Sequence, residues 1–224
     1  MFKKKLLFLI LFFITGLILS QIEFTPLAGP NVHFTLFDFF APIAGGFLGA
    51  TLGIVSVLAV SLTNLISTGS YELGSIIRLF PILFAVYYFG LPVNKRSGML
   101  FLIVPLLAMV IFWSHPQGRE AWYFALYWLV PVVSYFKRDI LYLRALGATF
   151  TAHAVGGAAW IWAFNLPSTV WQGLVPIVAY ERTLFAAGIT ASYFVFSFLL
   201  KYLTKKNILP SGLRFEKTSL IFSK

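Results

Sequence analysis

The 224-residue chain is 59% hydrophobic, carries charge on only 11% of its residues and contains no cysteine. Ordinary soluble domains run near about 45–50% apolar and about 25% charged. With a mean hydropathy of +0.88, this balance excludes a soluble enzyme, a disulfide-stapled secreted domain and a disordered chain. It predicts an all-α, polytopic helical bundle in the inner (plasma) membrane.

The net charge of +10 would suggest nucleic acid as a partner for a soluble protein. Here the basic residues fall in short gaps between apolar runs, as they do in cytoplasmic loops. The expected surroundings are therefore lipid, and nucleic acid is not an expected partner.

The first apolar run, Leu6–Ile22, follows Lys3, Lys4 and Lys5. It reads as a retained anchor rather than a signal peptide, because Ile18 makes a poor minus-three residue for cleavage after Ser20. Phe37–Ile66 is too long for one ordinary span of roughly 20 residues. Ile76–Phe89, Met99–Trp113, Trp122–Phe136, Arg144–Phe164 and Glu181–Leu203 follow. Residues 1–203 thus form one transmembrane domain of 6–8 segments, and 204–224 form a basic cytoplasmic tail.

The basic residues select among these counts. With Phe37–Ile66 as a single helix, Lys3–Lys5 and the later basic loops fall on opposite sides of the membrane. Splitting that run near Gly49–Gly53 collects Lys3–Lys5, Lys95, Arg96, Lys137, Arg138, Arg144 and the tail on one side. Both termini are then cytoplasmic, as the positive-inside rule requires. Arg119 is left in an outer loop, with Arg78 and Arg182 at outer helix ends.

Glycines 45, 49 and 53 recur at every fourth position, a spacing that lets helix backbones approach closely. It serves either packing within the chain or docking of a partner. Ionisable residues near a membrane interior point to function, and here they are Glu72, Arg78, His153, Glu181 and Arg182. Glu72 and Arg78 would set the polarity of a site and, through a bend, could pair. His153 and Asn64 would hydrogen-bond a ligand, while Tyr71 and Trp160 would stack on it. Glu181 opens the last helix, where a carboxylate favours the helix dipole, so Arg182 beside it needs an acidic or anionic partner. Most of the remaining outer aromatics (Trp113, Trp122, Trp162, Trp171, Tyr123) read as an interfacial belt.

No histidine spacing or carboxylate cluster suits a metal, and no cofactor is expected. The sequence has no P-loop and no nucleophile elbow, so neither ATP hydrolysis by that route nor an enzyme of that class is expected.

Thr35-Leu36-Phe37-Asp38-Phe39-Phe40-Ala41-Pro42, the glycines from Gly45 to Gly53, Asn64-Leu65, the Gly69–Gly74 loop and Lys95-Arg96 occur in that order. This stretch, 34–96, resembles the substrate-binding S components of energy-coupling-factor vitamin transporters, particularly the riboflavin-type branch. The resemblance implies capture of a vitamin-like small molecule for uptake, with a coupling transmembrane subunit and ATPase subunits as partners. The family usually has six spans and an Ala-x-x-x-Ala contact in its first helix, where this chain has Gly16-x-x-x-Ser20. Two other readings stand beside it: a membrane enzyme using His153 or Glu181 on a lipid-linked substrate, and a scaffold assembling through Gly45, Gly49 and Gly53.

Overall fold

The computed structural model describes residues 2–26, 33–93 and 96–206. Lys95 and the tail beyond Lys206 lie outside the described residues. The described residues are all-α apart from one small hairpin. Helix α1 (Phe2–Leu19) leads to strands β1 (Glu23–Pro26) and β2 (His33–Thr35), which pair antiparallel with Thr25 opposite Phe34.

The run from Phe37 breaks into α2 (Phe37–Phe40), α3 (Ile43–Leu48) and α4 (Ala50–Thr68). Helix α5 (Leu73–Arg78) continues into α6 (Pro81–Phe89), and a 3-10 turn over Arg96–Leu102 leads into α7 (Ile103–Ser114). The short α8 (Pro116–Glu120) precedes a 3-10 stretch, Trp122–Leu129, and α9 (Val130–Tyr135). Two long helices follow, α10 (Leu141–Phe164) and α11 (Ser168–Lys205).

Among the described residues, two helices are long and apolar enough to cross a membrane, Ala50–Thr68 and Ser168–Leu203. The apolar helices Leu9–Leu19, Phe37–Leu48, Leu73–Phe89 and Gly98–Ser114 are shorter. Part of the shortness is local chemistry. Pro81 has no N–H, so the path from α5 restarts at it as a helix first turn.

The split in the second run falls at Gly49, whose φ of +79° and ψ of 167° suit glycine alone. The neighbouring glycines let backbones touch. A Cβ on Gly45 would overlap the Val86 carbonyl and stand 2.9 Å from Gly90 N, while one on Gly53 would stand 2.8 Å from Gly45 N. This corrects the reading of Gly45, Gly49 and Gly53 as a partner-docking face. Gly45 and Gly53 are spent on α3 packing against α6 and α4, and Gly49 makes the turn.

Two further expectations change. The last helix starts at Ser168, well before Glu181, and carries Pro176 inside it. A proline costs a helix one hydrogen bond and a local clash without necessarily ending it. Glu181 is therefore an internal residue of α11. Arg144, expected in a cytoplasmic loop, is buried in the first turn of α10. Its Nε donates to the Phe89 carbonyl at 2.6 Å and its guanidinium lies 4.7 Å from that ring's centre. A cation at the C-terminus of α6 complements the carbonyls and dipole left there.

Packing divides into two cores. One joins Phe12, Phe40, Phe47, Val86, Phe89, Tyr193 and Phe196, with Phe12 stacked on Phe40 and Phe47 on Tyr193. The other joins Phe112, Phe124, Trp128, Phe150, Ile161 and Trp171. Helix α10 runs between them and supplies residues to both. One end of the bundle collects the Gly49 turn, Pro92, Arg138 and Arg144. The other collects the hairpin, Gly69, α8 and the start of α11, where Ser168 N donates to Gln117 Oε1 at 2.7 Å.

Candidate ligand-binding site

A cavity of about 180 Å³ opens where the two cores meet, toward the hairpin end. Helix α5 contributes Arg78, α10 contributes Thr149, His153 and Trp160, and α11 contributes Trp171, Glu181 and Arg182. Their spacing explains the convergence. Thr149, His153, Gly156 and Trp160 recur at three or four residues and so share one face of α10. Leu174, Ile177, Val178, Glu181, Arg182 and Phe185 do the same on α11.

The hairpin covers the cavity with an aromatic cluster. Phe34 and Phe39 meet Phe185 edge-on at 5.1 and 4.7 Å, and Phe24 meets Phe39 at 4.9 Å. Phe34 also lies between two guanidiniums, 5.2 Å from Arg78 and 4.7 Å from Arg182. Cation–π attraction of this kind contributes about 0.5–2 kcal/mol per contact.

Both cations are paired. Arg78 donates to Asp38 Oδ2 at 3.0 Å and also to the His33 carbonyl. Asp38 Oδ2 in turn accepts from Thr35 N at 2.7 Å, which ties strand β2 to α2. Arg182, only 3% exposed, donates to Glu181 Oε2 at 2.6 Å and to Thr149 Oγ1 at 3.4 Å. The four charged groups around the cavity therefore balance.

His153 accepts a hydrogen bond at Nδ1 from Trp128 Nε1 at 3.0 Å and lies 5.4 Å from the Phe124 ring. Thr25 of the hairpin also reaches the wall, which is otherwise mostly apolar, with Ile77, Pro81, Ile82, Ala85, Leu174, Val178 and Ile189.

Of the residues the sequence singled out, Arg78, His153, Trp160, Glu181 and Arg182 meet at this cavity. Asn64 does not. It lines a neighbouring polar cavity of about 260 Å³, where its Oδ1 accepts from Gln21 at 2.7 Å and from Ser20 at 3.2 Å. Glu72 and Tyr71 lie on the exposed Gly69–Glu72 connection, Tyr71 at 60% exposure, and line neither cavity. The proposed Glu72–Arg78 pair is thus corrected to Asp38–Arg78. The Arg78 side chain turns toward the hairpin, and Asp38 is presented there by α2.

Asp38, Trp128, Thr149 and Phe185 were not singled out as site residues. Thr35-x-x-Asp38 has the spacing of a capping box and reports Asp38's reach back to Thr35 N. Trp128 carried no signal beyond its aromatic neighbours. Trp171, read as part of an interfacial belt, is buried in the cavity wall. Among the described residues, no cluster of histidine and carboxylate side chains could hold a metal ion. Comparison with protein-family models, curated proteins and solved structures finds no match.

Proposed function

We propose that the chain is a membrane-embedded capture subunit for a compact, ring-bearing organic solute that reaches it from outside the cell. The observation that carries this reading is the cavity itself. Phe34, Phe124, Trp160, Trp171 and Phe185 line it, both of its cations are paired, and it sits toward one end of the bundle. Ligand sites are typically concave and apolar, with a few placed polar groups that orient the ligand. In size, an apolar cavity of about 150 Å³ holds benzene, so about 180 Å³ suits one ring or two small fused rings.

In this reading the apolar helices cross the inner membrane as eight segments, with both termini cytoplasmic. The basic residues support that orientation, because Arg138 and Arg144 gather at the Gly49 end while the cavity lies toward the hairpin end. The likeness of 34–96 to S components of energy-coupling-factor transporters supports capture for uptake. A coupling membrane subunit and separate ATPase subunits would then drive transport.

The test is native mass spectrometry of gently purified protein, followed by melting curves with a panel of vitamins and nucleobases. Ligand at a hundred times its dissociation constant stabilises a protein by about 2.7 kcal/mol. A co-purifying solute, or a melting shift lost in Arg182→Ala and retained in Glu72→Ala, is the expected result. An apo protein unmoved by the whole panel would sink the capture reading and leave the enzyme and scaffold alternatives.

A further inference from the structure

The cavity's polar groups are almost all committed to one another. Arg78 is held by Asp38, and Arg182 by Glu181 and Thr149. Arg182 Nε is buried without a hydrogen-bond partner among the described residues, and His153 also keeps an uncommitted polar group. An indole N–H can only donate, so the 3.0 Å bond from Trp128 Nε1 makes His153 Nδ1 an acceptor, and therefore unprotonated. A neutral imidazole then carries its proton on Nε2.

That N–H has no hydrogen-bond partner among the described residues, and it is not one of the buried polar atoms sealed away from all contact. Phe124 and Phe150, at 5.4 and 6.0 Å, flank the imidazole and offer no acceptor. Space is available beside it, since His153 lines the cavity of about 180 Å³.

Trp128 itself cannot turn easily. It is fully buried, and a Cβ on Gly157 would stand 2.7 Å from its ring. The indole therefore holds both the tautomer and the orientation of His153.

We infer that the cavity selects an uncharged ring compound that presents a hydrogen-bond acceptor, a carbonyl oxygen or a pyridine-type nitrogen, to His153 Nε2, with Trp128 as the positioning residue. The inference rests on the capture reading and adds the ligand's chemical class. The balanced charges leave no unpaired ion to hold a charged solute. A buried N–H left bare costs about 1–3 kcal/mol, so a ring without an acceptor is penalised by that donor.

Naphthalene and quinoline have the same shape and differ by one ring nitrogen, so they isolate this contact. Binding of each to the purified full-length protein is measured by melting shift and titration. Quinoline is expected to bind about tenfold or more tightly. His153→Phe should bring the ratio to about one by weakening quinoline alone. Trp128→Phe should lower the ratio while His153 remains, with nitrogen-15 spectra showing the proton redistributed between the two ring nitrogens.

Equal wild-type affinities, a comparison that needs no variant, would overturn the inference, as would a ratio unchanged in His153→Phe. Binding of other panel compounds without either ring would sink this inference and spare the capture reading. No binding by any compound would sink both.

Discussion

Arg78 and Asp38 are forty residues apart in the chain and 3.0 Å apart in space. Their pair does two things at once. It neutralises a cation at the cavity wall, and it anchors strand β2, because Asp38 also accepts from Thr35 N and Arg78 also donates to the His33 carbonyl. The same two side chains form a wall shared with the neighbouring polar cavity.

Removing one partner should therefore cost more than removing a surface carboxylate. Asp38→Ala is expected to lower stability by about 2 kcal/mol, since it leaves Arg78 unpaired in a partly buried place. Glu72→Ala is expected to stay within about 0.5 kcal/mol. A double-mutant cycle of Asp38→Ala with Arg78→Ala, read as melting temperatures in detergent, should give a coupling of about 1–3 kcal/mol. A coupling near zero would count against the pair.

The glycines separate by role. Gly49→Ala forces a side chain into a positive φ and should destabilise by about 1–3 kcal/mol. Gly45→Ala should be at least as harmful, because the added methyl meets backbone of α6 that cannot move aside. Gly173→Ala, in α11 with nothing within 4 Å of the new Cβ, should stabilise by about 0.5–1 kcal/mol. Thermal melts of the three variants check the order.

Arg144→Ala removes the charge-assisted bond to the Phe89 carbonyl and the cover over the Phe89 ring. A loss of about 2–3 kcal/mol is expected, with a lower melting temperature. Arg119→Ala, on the exposed α8, serves as the control for removing one positive charge and should leave the melt nearly unchanged.

Because the chain has no cysteine, single-cysteine labelling reads topology without background. Ser70→Cys is expected to react with an impermeant thiol reagent applied outside intact cells. Lys137→Cys, exposed at the opposite end of the bundle, should react only after the membrane is opened. The reverse pattern would overturn the proposed orientation.

Local chemistry by itself determined the helical class, the break within Phe37–Ile66 and the face of α10 that carries His153 and Trp160. Apolar runs, a glycine spacing and basic gaps are local signals, and a break that only glycine can make falls at Gly49. Arg78, Glu181 and Arg182 were legible as candidates because charge is rare in so apolar a chain. Their partners were not. Asp38 reaches Arg78 across the hairpin, and Trp128 reaches His153 across two helices, contacts set by how the rods pack.

Glu72 stood nearer Arg78 in sequence, yet the exposed connection carries it away from the cavity. Trp171 looked like the other outer tryptophans until the early start of α11, with Pro176 accommodated inside the helix, turned it inward. Periodicity names the residues on a helix face, whereas the choice of which faces meet belongs to side-chain packing and hydrogen-bond geometry between distant segments. Only the tertiary structure decided that two balanced ion pairs and the imidazole of His153 would surround the same small cavity.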